Sequence, residues 1–204
     1  MESNLLSTNL AGLALDNPTI LASGILGYSA ESMLRVIKGG AGAVVTKSVG
    51  LEPRMGYANP TVVQAKSGLI NAMGLPNPGI DQYVDEIKYA KSLIHAPLIV
   101  SVFGYSADEY TAVAKKAVEA GADAVELNVS CPHVKQTGAE IGQNATLLYE
   151  VVSKVKAQVH KPVIVKLSPN VTDIVDLACA AVRGGADALT AVNTLKAIAI
   201  DVET

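Results

Sequence analysis

Three times in 204 residues the chain writes the same short joint. Gly40-Ala41-Gly42-Ala43-Val44-Val45 returns as Gly121-Ala122-Asp123-Ala124-Val125-Glu126, and again as Gly185-Ala186-Asp187-Ala188-Leu189-Thr190. Each copy falls where a helical pattern stops and an apolar run begins, so each marks the passage from a helix into a buried strand. Repeated helix-to-strand joints mean repeated βα units, and these build a parallel sheet. The composition agrees: 50% of the residues are hydrophobic and 17% charged, which excludes a disordered chain and suits strands covered on both faces.

The expected strands are Pro18–Ser23, Ala43–Ser48, Leu98–Phe103, Ala124–Val129, Val163–Ser168 and Ala188–Asn193. The expected helices are Ala30–Lys38, Gly79–Ile94, Ala107–Ala120, Ala145–Val159 and Val171–Arg183. Ser106 with Glu109 reads as a capping box, and Asn77-Pro78 as a cap followed by proline in the first turn. The stretch Gly50–Asn77 is too long for an ordinary βα connection and reads as a functional excursion.

The strand ends carry further information. They finish at Ser23, Lys47-Ser48, Ser101, Asn128, Lys166 with Ser168, and Asn193-Thr194. Six apolar runs that each end in a polar or cationic side chain predict one shared polar mouth, as at the C-terminal face of a (β/α)8 barrel. A doubly wound sheet would gather its site at one switch point behind a glycine fingerprint, and Gly24-Ile25-Leu26-Gly27 is not that fingerprint. Six strands against eight predict a single α/β domain over residues 1–204. It would be a TIM barrel truncated at its C-terminal side after about six strands.

A net charge of −3 without a basic run argues against nucleic acid as a partner. No signal peptide and no bilayer-length apolar run are visible. Two cysteines form no disulfide framework, so a reduced, cytoplasmic setting is expected.

Cys131 follows a strand end in Asn128-Val129-Ser130-Cys131-Pro132, within a loop running to about Gly142. A lone cysteine is more often a buried structural thiol. Polar neighbours at a strand mouth make this one a candidate base or nucleophile instead. Cys179, inside Leu177-Ala178-Cys179-Ala180-Ala181, reads as the buried structural kind. Lys47 and Lys166 each end an apolar strand, where a lysine is costly unless it meets an anion. A snorkelling surface lysine and a Schiff-base lysine are the other readings. Asn71, Asn128 and Asn193 donate and accept at once and suit a ring built of amides, although singly each could be a turn residue.

Together these residues resemble the class 1 dihydroorotate dehydrogenases over essentially the whole chain. The markers are Ala22-Ser23-Gly24, Thr46-Lys47-Ser48, Asn71 through Gly79, Asn128 through Pro132, Val165 through Asn170, and Asn193-Thr194. The resemblance implies a (β/α)8 barrel with FMN at its mouth and oxidation of dihydroorotate to orotate in de novo pyrimidine (UMP) biosynthesis. It implies that Cys131 is the base that removes the C5 proton while the C6 hydride passes to FMN. Ser23, Lys47, Ser48, Ser101, Asn128, Lys166 and Val192 would contact the flavin. Lys47, Asn71, Ala72, Met73, Gly74, Leu75, Asn128, Asn193 and Thr194 would hold the substrate. Ser101 departs from the asparagine found in many members. The Asn-Pro-Gly ending at Gly79 and the segment Val134-Lys135-Gln136-Thr137-Gly138 resemble the two-subunit branch. There a partner carrying FAD and an iron–sulfur cluster passes electrons to NAD, and an oligomer is expected. Three alternatives stay open: an inactive barrel fragment, an FMN-dependent dihydropyrimidine dehydrogenase domain, and a flavin-free lyase or aldolase using Lys166.

Overall fold

The computed structural model describes residues 5–66, 68–130 and 141–200. Its centre is a six-stranded parallel sheet built from β3 (Ile20–Leu21), β4 (Ala43–Val45), β7 (Leu98–Val102), β8 (Ala124–Asn128), β9 (Val163–Lys166) and β10 (Ala188–Thr190). Each strand lies beside its predecessor in the sheet, with no reversal of order. An order without a switch point is the winding of a barrel, not of a doubly wound sheet. The sheet curls accordingly into part of a barrel. The helices α1 (Ala30–Lys38), α2 (Ile80–Leu93), α3 (Ala107–Glu119), α4 (Ala145–Lys156) and α5 (Ile174–Arg183) pack outside it, each against its neighbours. β7, β8 and β9 are buried along their whole length, whereas β3 and β10 at the sheet ends are half-exposed.

The repeated joint has a physical explanation. Gly40, Gly121 and Gly185 each take a left-handed φ, of 103°, 111° and 96°, which ends the helix and turns the chain back toward the sheet. Two residues later, Asp123 accepts from the N–H of Leu98, the first residue of β7, at 2.8 Å and from the Lys91 ammonium at 2.8 Å. Asp187 does the same for Val163 at 2.7 Å, with Lys156 as its ion-pair partner. The aspartate thus ties the start of its own strand to the start of the preceding strand and to the helix that leads into that preceding strand. In the first copy Asn17 takes over, accepting from the Thr19 N–H at 3.0 Å. Gly42 stands in place of the aspartate because a Cβ there would lie 2.1 Å from the Asn17 carbonyl oxygen. Asp123→Ala is expected to lower the unfolding free energy by about 2 kcal/mol, the scale of losing charge-assisted hydrogen bonds. Urea unfolding measures it.

Helix starts are capped by Ser29, Ser106, Asn144 and Asp173. The Ser106 cap is as expected, but Glu109 accepts from the Tyr105 N–H at 2.9 Å and not from that of Ser106, so the box closes one residue early. Asn77 is not the cap of α2. Gly79 holds that position, and Asn77 Oδ1 accepts from the N–H groups of Gly79 and Gly50, pinning the base of the long excursion. Cys179 is exposed and not buried: α5 buries Leu177, Ala180 and Ala181, a helical stripe that leaves Cys179 on the other side.

Two hairpins lie outside the expected strands. β1 (Thr8–Leu10) and β2 (Leu13–Leu15) pair antiparallel around Ala11 and Gly12. Within the excursion, β5 (Val62–Ala65) pairs with β6 (Gly68–Asn71).

Candidate active site at the strand ends

Alternation along the strands divides their side chains between two cores. Most of the apolar residues pack outward between sheet and helices. The inward set is small: Val45, Ile99, Ala124 and Ile164 form a separate cluster, joined by Ile20 and Ala188. Leu10 and Leu13 of the β1–β2 hairpin pack against this cluster and floor the barrel interior. Two residues further along the strands the inward positions turn polar, with Lys47, Ser101, Glu126, Lys166 and Thr190, and Asn128 follows on β8. The C-terminal ends of the strands therefore open onto a polar mouth above an apolar floor.

Hydrogen bonds join that mouth into one chain. Ser23 Oγ lies 3.3 Å from Ser48 Oγ, and Ser48 Oγ lies 2.9 Å from Ser101 Oγ. The Asn128 amide donates to Ser48 Oγ at 3.1 Å, and the Asn193 amide donates to Asn128 Oδ1 at 3.0 Å. Thr194 donates through its backbone N–H to Asn193 Oδ1 at 2.8 Å. Residues from the ends of β3, β4, β7 and β8 and from the segment after β10 thus meet in one network. Asn128 is its hub: it is 8% exposed and also accepts from the Ser130 N–H at 3.3 Å.

Glu126 apart, the charges of the mouth among the described residues are positive. Lys166 is 8% exposed, and the register sets it directly opposite Asn128. Lys47 is half-buried beyond the end of β4. Burial, and after it the Lys166 charge, holds the Lys47 ammonium below its ordinary pKa. Among the described residues neither lysine ion-pairs with a carboxylate; the five ion pairs there involve other lysines. Two sequestered cations without a paired carboxylate, flanked by carboxamides and hydroxyls, can hold a planar ring with an electron-rich edge or an anionic substituent. That donor set fits a flavin and an amide-rich ring beside it.

Other expected site residues stand apart from this network or, like Thr194, join it at its exposed end. Val192 and Thr194 are exposed, and Asn170 anchors their segment by donating to the Thr194 carbonyl oxygen at 3.1 Å. Asn71 ends β6 as an exposed residue, and the bonds of Ala72 through Leu75 stay within the excursion. Ala72 N–H donates to Thr61 O at 2.8 Å, and Tyr57 N–H donates to Met73 O at 3.2 Å. Arg54 donates to Gly74 O at 3.4 Å and to Tyr105 Oη in the loop after β7, which keeps the excursion at the mouth end of the barrel. Cys131 lies outside the described residues, as does the segment Val134 to Gly138. Sequence reasoning gave no site role to Asn170, Thr190 or Glu126. For Glu126 a signal was present, since Ala124-Val125-Glu126-Leu127-Asn128 puts a carboxylate on the same strand face as Asn128.

The protein-family model for dihydroorotate dehydrogenase matches residues 5–204. Among curated proteins, the chain is 48% identical over 205 residues to the dihydroorotate dehydrogenase B (NAD(+)) catalytic subunit of Methanocaldococcus jannaschii, covering 99% of the chain and 67% of the relative. The subunit of the same name from Pyrococcus abyssi is 52% identical over 198 residues, covering 97% of the chain and 65% of the relative. The chain thus spans about two thirds of the length of these relatives. Among solved structures, DHODH of Eimeria tenella in complex with ferulenol superposes with a TM-score of 0.80 at 22% identity, over 95% of the chain and 61% of that structure. The fold is therefore that of a (β/α)8 barrel, of which the described residues form six strands.

Proposed function

The chain belongs to the dihydroorotate dehydrogenase family, and from that membership we propose that it forms the FMN- and substrate-binding rim of an enzyme oxidising dihydroorotate to orotate for UMP synthesis. One observation carries the reading: a single hydrogen-bonded network from Ser23 to Thr194, beside two lysines that no carboxylate pairs among the described residues.

FMN, when bound, supplies the hydride acceptor that no side chain can provide. Lys47 and Lys166 offer positive charge to its electron-rich edge, while Ser23, Ser48, Ser101, Asn128 and Val192 hold the ring. Asn128 and Asn193 present amide donors and acceptors to the pyrimidine, with Lys47, Thr194 and the Asn71–Leu75 loop completing the substrate side. Donors on the C4 carbonyl favour the charge that develops as the C5 proton leaves, and Cys131 takes that proton. The names of the relatives specify NAD(+) and a catalytic subunit. The proposal for this chain extends to a separate electron-transfer subunit carrying FAD and an iron–sulfur cluster, to an oligomer and to a cytoplasmic setting. No helix among the described residues is long and apolar enough to cross a membrane.

Anaerobic addition of dihydroorotate to the FMN-loaded protein is expected to bleach the flavin and release orotate, whereas dihydrouracil leaves it oxidised. Bleaching by dihydrouracil alone would replace dihydroorotate with a dihydropyrimidine as substrate. The depressed proton affinity of Lys47 adds a pH signature. Orotate is an anion and needs the ammonium form, so its affinity falls as pH rises, starting below the ordinary lysine range. Lys47→Met flattens that alkaline loss. Calorimetric titration of orotate over a pH series measures both.

A further inference from the structure

Glu126 is the one carboxylate buried among the described residues, 3% exposed in the middle of β8. It takes no part in the network of the rim. Its Oε2 accepts from the Thr190 hydroxyl at 2.9 Å. Its Oε1 is buried and has no hydrogen-bond donor among the described residues. Thr190 stands on β10, and β9 runs between β8 and β10, so this bond crosses the inner face of β9. The register pairs Glu126 with Ile164 and Thr190 with Lys166. The carboxylate therefore lies within the barrel, one layer below Asn128 and alongside the base of Lys166.

A desolvated carboxylate with one oxygen unpartnered is costly unless positive charge lies near it. The inward groups around it are few. Lys166 comes from β9 and Lys47 from β4, whereas β7 offers Ser101 and β10 Thr190. The hairpin below offers only Leu10 and Leu13. Among the described residues the two lysines are thus the only charged groups of this interior besides Glu126, and they repel each other.

We propose that Glu126 is a positioning residue acting through the two lysines: its fixed negative charge offsets their mutual repulsion and leaves the mouth with one net positive charge, suited to a monoanion. This rests on the rim being the ligand site. Two cations above one carboxylate hold a pyrimidine carboxylate or an electron-rich ring edge without trapping a dianion.

The test reads the lysines without flavin or substrate. The chain is treated at fixed mildly alkaline pH with a small neutral acylating reagent, and modification of Lys47 is followed by peptide mass spectrometry. Glu126→Gln keeps an acceptor for Thr190 and removes the charge. It is expected to speed Lys47 acylation about tenfold, the effect of losing a nearby opposite charge. Thr190→Val, which breaks the hydrogen bond and leaves the charge, stays near the wild-type rate. Equal Lys47 rates in wild type and Glu126→Gln overturn the proposal, as does a matching rise in Thr190→Val. Should Glu126→Gln not fold, Lys166→Met is compared with Glu126→Gln/Lys166→Met, where the buried charge leaves together with its neighbour. The same acceleration supports the proposal and its absence overturns it. Failure of the dehydrogenase reading would instead show as no orotate or FMN binding, with the acylation difference intact.

Discussion

Cys131→Ser in the flavin-loaded enzyme is expected to slow orotate formation by about 10²-fold or more near neutral pH, the scale of losing a general base. The reaction removes a proton and a hydride from adjacent carbons. The hydride needs the flavin, but the proton needs a side chain whose own proton is mobile. An ordinary thiol ionises near pH ~8.5, and a serine hydroxyl stays protonated throughout the working range. Wild-type turnover should therefore climb as the buffer is made alkaline through the thiol range, and the serine variant should lose that climb. Flavin content should change little, because the flavin ligands are other residues. Unchanged turnover in Cys131→Ser would remove Cys131 from the role.

Asn128→Ala is expected to have the second largest effect, on both stability and binding. Asn128 ends a strand that is buried on both faces, and its amide holds Ser48 on one side and Asn193 on the other. Truncation leaves the Asn193 amide and the Ser130 N–H without their acceptor in a half-buried setting, while the Ser48 hydroxyl keeps Ser101 and Ser23 as partners. Each unsatisfied group costs about 1–3 kcal/mol. With water reaching the half-exposed Asn193, the expected loss is about 3 kcal/mol of unfolding free energy. The segment after β10 also loses a tie to the sheet, so orotate affinity should fall by about tenfold or more, on the scale of about 1.4 kcal/mol per tenfold. Asn128→Asp keeps the acceptor for Asn193 but loses the donor to Ser48, and should fall between wild type and alanine. Calorimetric melting and orotate titration separate the two effects.

The sheet was legible because its joints repeat. The Gly-Ala-Asp-Ala pattern is read twice by the same carboxylate-to-strand bond, so the positions of β8 and β10 follow from chemistry that local sequence carries. All six strands were expected within longer ranges, because the chain runs on past the strand ends with scattered backbone bonds, such as Phe103 N–H to Val49 O and Asn193 N–H to Leu167 O, that do not extend the regular ladder. The hairpins were not legible. β1 and β2 are three residues each, joined by Ala11 and Gly12 with φ of 50° and 90°. A two-residue turn with both φ positive is usually announced by asparagine or aspartate before glycine, and an alanine there sends no such signal. Cys179 was misread because apolar composition alone does not say which side of α5 faces the core.

At the site, Ser23, Ser48, Ser101, Asn128 and Asn193 could be brought together in advance, since each lies at or just past the end of a strand and strands in a barrel finish at one rim. Asn71 to Leu75 could not. Their position depends on how a hairpin folds over the mouth and on the Arg54–Tyr105 contact, which joins residues far apart in the chain. Glu126 was visible in the alternation of β8, but its meaning depends on Thr190 and Lys166 from two other strands.

The central claim is that one rim of strand ends holds flavin and pyrimidine together. A crystal structure of the protein with FMN and orotate tests it most directly. Orotate should lie within hydrogen-bond reach of Asn128 and Asn193, with the Cys131 sulfur against C5 and the Lys166 ammonium at the flavin edge. A flavin seated elsewhere, or a Cys131 sulfur far from an orotate bound at Asn128 and Asn193, would contradict it.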